Sequence, residues 1–143
     1  MPPTSEPKDL IIHCDGGSWN NPGPAAFAYV IRDERGAVVE RRGEYIGEAT
    51  NNVAEYRAVI AAARRAAELD AGRVVIRLDS QLIHRQLSGR YRVKARHLKP
   101  LFAELKALID RLPQCRVEHV RRGRNREADR LVQDAIDRRG VVT

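Results

Sequence analysis

Four carboxylates lie where predicted strands end or predicted helices begin: Asp15, Glu55, Asp79 and Asp129. Asp15 and Asp79 each close an apolar run typical of a buried strand, whereas Glu55 and Asp129 lie in the first turns of helical patterns. Ligand sites of open α/β sheets form at the carboxyl ends of the strands, so we expect the four acids to meet there. Two charges ~4 Å apart interact by about 4 kcal/mol at an effective dielectric near 20. Such a cluster therefore needs divalent cations, or it must hold protons.

Each acid also has an ordinary structural explanation. Asp15 is compatible with a plain turn, and Glu55 with a capping box that starts at Asn52. Asp79-Ser80 could cap a short helix, and Asp129 would complement the macrodipole of the last helix. These explanations require four independent coincidences at one sheet edge, and they leave the surrounding arginines unexplained. We therefore favour a functional cluster.

Basic residues flank the acids. The net charge is +7, and the segment 80–103 contains no Asp or Glu. Its basic residues are Arg85, Arg90, Arg92, Lys94, Arg96 and Lys99, and a second group surrounds Asp129 with Arg121, Arg122, Arg124, Arg126 and Arg130. A solvated basic face is one interpretation, and an anionic polymer as partner is the other.

The length and composition exclude several classes of protein. A chain of 143 residues fits one domain that buries its own core. The two cysteines, Cys14 and Cys115, have no metal-ligand spacing, so a zinc site is not expected. No run reaches transmembrane length, and the segment 1–7 lacks the apolar stretch of a signal peptide. We expect a cytoplasmic protein that does not engage a membrane.

The pattern of elements predicts an α/β fold. Strands are expected over 8–15, 26–32, 37–45, 73–78 and 116–120, and helices over 52–69, 80–87, 98–112 and 125–138. The first three strands should form an antiparallel meander, and the fourth and fifth should run parallel to the first through right-handed crossovers. The prediction is a five-stranded mixed sheet, three antiparallel strands plus two parallel, flanked by helices. We expect a flexible N-terminal tail over 1–7, one domain over 8–139 and a C-terminal tail over 140–143.

The sequences around the four acids resemble, in order, the four motifs of type 1 ribonuclease H domains. The motifs are Asp15-Gly16-Gly17-Ser18 with Asn21-Pro22-Gly23-Pro24, then Thr50-Asn51-Asn52-Val53-Ala54-Glu55, then Asp79-Ser80-Gln81, and finally Asn125-Arg126-Glu127-Ala128-Asp129. The resemblance covers roughly residues 9–139 and implies the ribonuclease H-like fold.

The chain departs from the family pattern in two places. Many members carry a basic insertion between the middle helices, but here the segment 88–99 is short, as in a compact form. The candidates to replace that insertion are Arg90, Arg92, Lys94 and Arg96. Many members also carry a histidine in a loop before the last acid. Here Arg122 is the candidate for that position, because His119 belongs to a strand.

The resemblance implies endonucleolytic hydrolysis of the RNA strand of RNA–DNA hybrids, leaving 5′-phosphate and 3′-hydroxyl ends. It implies two Mg²⁺ ions per site, with Mn²⁺ able to substitute. By resemblance Asp15 bridges both ions, Asp129 helps to hold the ion that activates water, and Glu55 and Asp79 help to hold the ion at the leaving oxygen.

Selection of the RNA strand should come from contacts with 2′-hydroxyl groups and the backbone. The predicted substrate-binding residues are Gly16, Gly17, Asn21, Thr50, Asn51, Gln81 and Asn125. The amide side chains among them are equally compatible with turns and helix caps. Three alternatives stay open: cleavage of double-stranded RNA, a non-catalytic hybrid-binding module, and an integrase-like or exonuclease-like enzyme. We expect a monomer.

Overall fold

A computed structural model describes residues 8–143, so the predicted tail over 1–7 lies outside the described residues. The strands are β1 (Lys8–Ser18), β2 (Gly23–Asp33), β3 (Val38–Ala49), β4 (Ala71–Leu78), β5 (Gln114–His119) and β6 (Val141–Val142). The helices are α1 (Asn51–Glu68), α2 (Gln81–Leu87), α3 (Lys99–Arg111) and α4 (Arg126–Arg138), with short 3-10 turns at Arg96–Leu98 and Arg122–Arg124. Within residues 8–143, no helix combines the length and the apolar character that crossing a membrane requires.

The strands form one mixed sheet in the order β5-β4-β1-β2-β3-β6. The predicted meander of β1, β2 and β3 is antiparallel, and β4 and β5 run parallel to β1, so both expectations are confirmed. The predicted number of five strands is wrong, because β6 adds a sixth by pairing with Gly43 and Glu44 of β3. This strand has two residues, too few for an alternating pattern, and it lies in the segment predicted as a C-terminal tail.

The meander strands are longer than predicted because the ladder continues through their glycines. Gly16 pairs with Phe27 and Gly17 with Ala26, which carries β1 three residues past Asp15. Asp15 therefore lies inside the strand and not at its end. Asp15 pairs with Ala28 of β2, and the next residue, Gly16, packs against the backbone of α1.

The sheet separates two cores of unequal size. Along β2, Phe27, Tyr29 and Ile31 belong to the larger core, which α1 and α3 cover. The alternate residues, including Ala28 and Val30, belong to the smaller core under α4. Because successive side chains of a strand point to opposite faces, the two sets of helices lie on opposite sides of the sheet.

The caps of the helices fix their positions next to the acids. Thr50 caps α1 by accepting a hydrogen bond from the Val53 amide, so the capping role predicted for Asn52 is wrong. Ser80 caps α2 by accepting a hydrogen bond from the Ile83 amide at 3.3 Å. Of the pair Asp79-Ser80, the serine is therefore the helix cap. Both caps begin a helix within a few residues of a predicted catalytic acid.

Candidate active site

Three of the four predicted acids line one small cavity. Asp15 enters it from β1, Glu55 from the second turn of α1, and Asp79 from the residue that follows β4. Cys14 and Ser80 line the same cavity. The topology brings these carboxylates together because β1 and β4 are parallel neighbours and α1 is the crossover that connects the meander to β4.

A glycine allows α1 to approach β1 closely. A side-chain carbon at Gly16 would lie 2.1 Å from the Ala54 carbonyl oxygen and 2.5 Å from the Glu55 amide nitrogen. Those distances leave no room for any side chain, and the obstructing atoms are backbone. Gly16 thus sets the position of Glu55 relative to Asp15, which is a packing role beyond the substrate contact predicted for it.

The charge on Asp15 shows that all four acids converge. The pKa of Asp15 is raised to about 8, chiefly by burial and then by the neighbouring Asp79, Asp129 and Glu55 carboxylates in that order. A hydrogen bond with Asp129 acts in the same direction, since the protonated Asp15 carboxyl donates to Asp129. Asp129 therefore joins the site from α4, on the opposite side of the sheet.

Glu55 is surrounded by both signs of charge. Burial is the largest influence and raises the pKa of Glu55, and the Asp79 carboxylate adds to the rise. A hydrogen bond from the Ser80 hydroxyl and the positive charge of Arg122 oppose it. Ser80 was read from the sequence only as a helix cap, and its contact with Glu55 could not be seen there. Arg122 is exposed and lies close enough for its charge to act on the acids.

The donor set fits a hard divalent cation. Carboxylate oxygens are the ligands that Mg²⁺ and Mn²⁺ prefer. Among the described residues, no histidine lines the cavity, and the one cysteine that does, Cys14, is buried. The pKa of Asp15 is raised because the group is buried beside three other acids, and a cation bound there would favour its charged form. Within residues 8–143, however, no three His, Cys, Asp or Glu side chains already have the spacing of metal ligands.

Asn125 differs from its predicted role. It is only 1% exposed, which conflicts with the predicted contact to a substrate. Its Nδ2 donates to the Cys14 carbonyl at 2.8 Å and to Asp79 Oδ2 at 3.4 Å, while its Oδ1 has no partner. The amide thus ties the start of α4 to β1 and to Asp79. We assign Asn125 a positioning role.

The remaining predicted substrate residues do not line the cavity, and several of them make turn and cap contacts. Asn51 Oδ1 accepts from the Ser18 amide at 2.8 Å, and the Asn51 amide donates to Asn21 Oδ1 at 3.1 Å. Thr50 caps α1, and Gln81 is exposed at the first position of α2. The turn and cap roles of these side chains are therefore present. Their contacts with a substrate, like those of Gly17, stay predictions.

The sequence matches known proteins over most of its length. Residues 13–135 match a family model described as "Reverse transcriptase-like". The "Bifunctional protein Rv2228c" of Mycobacterium tuberculosis is 41% identical over 129 residues, which are 90% of this chain and 35% of that protein. "Ribonuclease HI" of Halobacterium salinarum is 38% identical over 123 residues, 86% of this chain and 62% of that protein. The chain thus spans about a third of the mycobacterial relative and less than two thirds of the archaeal one.

Solved structures resemble the fold closely. The N-terminal RNase H domain of rv2228c from Mycobacterium tuberculosis superposes with a TM-score of 0.87 at 40% identity, covering 92% of this chain and 95% of that one. RNase H1 from Halobacterium salinarum NRC-1 gives 0.88 at 36% identity, covering 91% and 98%. LC11-RNase H1 in complex with an RNA/DNA hybrid gives 0.85 at 42% identity, covering 90% and 97%.

Proposed function

The chain belongs to the type 1 ribonuclease H family, and from this membership we propose that it is an endonuclease that hydrolyses the RNA strand of RNA–DNA hybrids. The observation that carries the proposal is the convergence of four acids: Asp15, Glu55 and Asp79 line one cavity, and Asp129 acts with them to raise the pKa of Asp15. The likeness to LC11-RNase H1, which was solved with an RNA/DNA hybrid, supports the choice of substrate.

The acids would hold divalent ions. Two Mg²⁺ ions, replaceable by Mn²⁺, would supply an activated water and would neutralise charge at the leaving 3′ oxygen, leaving 5′-phosphate and 3′-hydroxyl ends. Asp15 would contact both ions because the other three carboxylates surround it. Asp129 would hold the ion on one side, and Glu55 and Asp79 the ion on the other.

Three neighbouring groups prepare the acids for this role. The Ser80 hydroxyl donates to Glu55, and the Asn125 amide donates to Asp79, so two carboxylates are restrained before any substrate binds. Arg122 brings an exposed positive charge to the Glu55 side of the cavity. We propose that Arg122 attracts the scissile phosphate and takes the place of the loop histidine that many family members carry.

Binding of the hybrid would be mainly electrostatic. The connection between α2 and α3 exposes Arg90, Arg92, Lys94 and Arg96 to solvent. Contacts of this kind with phosphates release counterions, so affinity should fall steeply with salt and depend little on sequence. Asn21, Asn51 and Gln81, with the backbone of Gly16 and Gly17, are the proposed contacts to 2′-hydroxyls, and Thr50 and Asn51 to a DNA phosphate.

The substitution Asp79→Asn tests the proposal. We expect it to abolish cleavage of a labelled RNA–DNA hybrid in Mg²⁺ while leaving hybrid affinity within a few-fold of the unmodified protein. Asp110→Asn is the matched control, because Asp110 is an exposed acid of α3 outside the site. Cleavage that survives Asp79→Asn would remove this residue from the catalytic set.

The same assay separates the other candidate activities. Hybrid, duplex RNA, duplex DNA and single strands are incubated side by side with Mg²⁺, with Mn²⁺ and with EDTA. Preferential metal-dependent cleavage of the hybrid is the expected result. Binding of the hybrid without cleavage in either metal would indicate a non-catalytic binding module, and equal cleavage of duplex RNA would widen the substrate class.

A further inference from the structure

Two polar side chains connect the β1–β2 loop to the fourth acid. The Trp19 indole donates through Nε1 to Gln133 Oε1 at 3.0 Å, and Gln133 Nε2 donates to Asp129 Oδ1 at 3.5 Å. Gln133 lies four residues after Asp129 on α4, so the two side chains share one face of that helix. The chain of contacts therefore runs from an exposed loop to a proposed metal ligand.

The first contact determines the orientation of the second. An indole N–H can only donate, so the oxygen of the Gln133 amide must face Trp19. The amide nitrogen then faces the opposite way, toward the Asp129 carboxylate. Without Trp19, the amide of Gln133 would be free to turn its oxygen toward Asp129, where it would repel the carboxylate.

Trp19 is itself held by an aromatic and cationic contact. The Arg139 guanidinium lies 5.2 Å from the centre of the Trp19 ring and 5.2 Å from the centre of the Tyr45 ring. Arg139 caps the end of α4 in a left-handed conformation, and the Tyr45 amide donates to the Gly140 carbonyl. The indole, though 48% exposed, is therefore restrained from the same helix that carries Asp129.

We propose that Gln133, oriented by Trp19, is a positioning residue that holds the Asp129 carboxylate ready for a divalent cation. This inference rests on the proposed function, because it concerns the metal side of the same site. Neither residue lines the cavity that Asp15, Glu55 and Asp79 share. Their removal should therefore weaken the response to Mg²⁺ and leave the KM for hybrid unchanged.

Three variants separate the two contacts. Gln133→Met keeps the length of the side chain and removes the amide, and Trp19→Phe keeps an aromatic ring over Arg139 and removes the indole donor. The double variant tests whether the residues act as a unit. Gln114→Met is the control, since Gln114 is exposed at the start of β5, at the other end of the sheet.

The first measurement needs no substrate. The Tm of each variant is followed by circular dichroism as MgCl₂ is added, and the MgCl₂ concentration that gives a fixed rise in Tm is compared, because Tm rises logarithmically with the ratio of the Mg²⁺ concentration to Kd. We expect Gln133→Met to raise that concentration about 3- to 10-fold, the factor that corresponds to one hydrogen bond of ordinary net strength. Trp19→Phe should raise it by a similar or smaller factor, and the double variant should match Gln133→Met.

Cleavage kinetics complete the test. At limiting Mg²⁺ the two variants should lose kcat by about the same factor, with KM for hybrid unchanged and with recovery at high Mg²⁺. If Gln133→Met needs the same MgCl₂ concentration as the unmodified protein for the fixed rise in Tm, or if the effects in the double variant are additive, the positioning role is overturned. If the unmodified protein shows no rise in Tm with Mg²⁺ and no cleavage, the proposed function fails, which is a separate result.

Discussion

The raised pKa of Asp15 predicts an unusual dependence of stability on pH in the absence of metal. The folded protein keeps the Asp15 proton up to a pH of about 8, whereas the unfolded chain releases it near the ordinary aspartate pKa of 3.8. Between these values only the folded state holds the proton, so raising the pH favours unfolding. The stabilising contribution is complete below pH 3.8 and is lost progressively as the pH rises to about 8.

The size of this change in stability follows from the interval between the pKa values of Asp15 in the unfolded and folded states. Each pH unit within the window corresponds to about 1.4 kcal/mol, so the free energy of unfolding should fall on the order of 4 kcal/mol between pH 4 and pH 7 through Asp15 alone. Asp15→Asn isolates this contribution because the amide is neutral at every pH and still donates to Asp129. The variant should match the unmodified protein at pH 4 and be more stable by about 4 kcal/mol at pH 7.

Urea unfolding in EDTA, followed by circular dichroism at pH 4, 5, 6 and 7, gives the free energy of unfolding against pH for the unmodified protein and for Asp15→Asn. Addition of Mg²⁺ at pH 7 should restore stability to the unmodified protein, because the cation replaces the proton as the neutralising charge. The Asp15→Asn variant should gain less from Mg²⁺. Parallel curves for the two proteins across this pH range would refute the reasoning that burial beside the other acids raises the pKa of Asp15.

Three further substitutions test the architecture of the site. Gly16→Ala should lower the free energy of unfolding by about 3 kcal/mol in urea, because its methyl group would overlap backbone of α1. Asn125→Leu should lower kcat at least about tenfold with little change in hybrid affinity, since Asp79 loses its donor; an unchanged kcat would leave Asn125 with a purely structural role. Arg122→Ala should slow single-turnover cleavage, whereas Arg122→Lys should retain part of the rate. If both variants cleave at the rate of the unmodified protein, Arg122 has no part in the chemistry.

The sequence was sufficient to predict the antiparallel meander, the parallel direction of β4 and β5 relative to β1, and the grouping of the acids. Apolar runs marked β1 and β4 clearly, and Asp15 and Asp79 could be placed at one edge of the sheet once the two strands were taken as parallel neighbours, as they are in the structure. The family motifs added support for Glu55 and Asp129, whose helical positions alone do not show that they face the other two acids.

Other features depend on contacts that leave no local signal. The two residues of β6 are too few for periodicity, and they pair because Gly43 of β3 lies opposite. Asn125 looked like a surface residue at a helix start, and only the approach of β1 explains its burial. The same holds for Ser80, whose hydroxyl meets Glu55 across 25 residues of chain, and for Trp19, which reaches Gln133 on a distant helix.

The placement of the acids on both sides of the sheet has a consequence for heat inactivation. Asp129 is carried by α4, which rests on the smaller core, whereas Glu55 is carried by α1 over the larger core, and Asp15 and Asp79 lie in or next to central strands of the sheet. Detaching one helix costs less than melting the whole domain, so the pocket loses its fourth ligand first. Catalysis should then disappear on warming while most of the backbone stays folded, and it should return on cooling without any refolding of the larger layer.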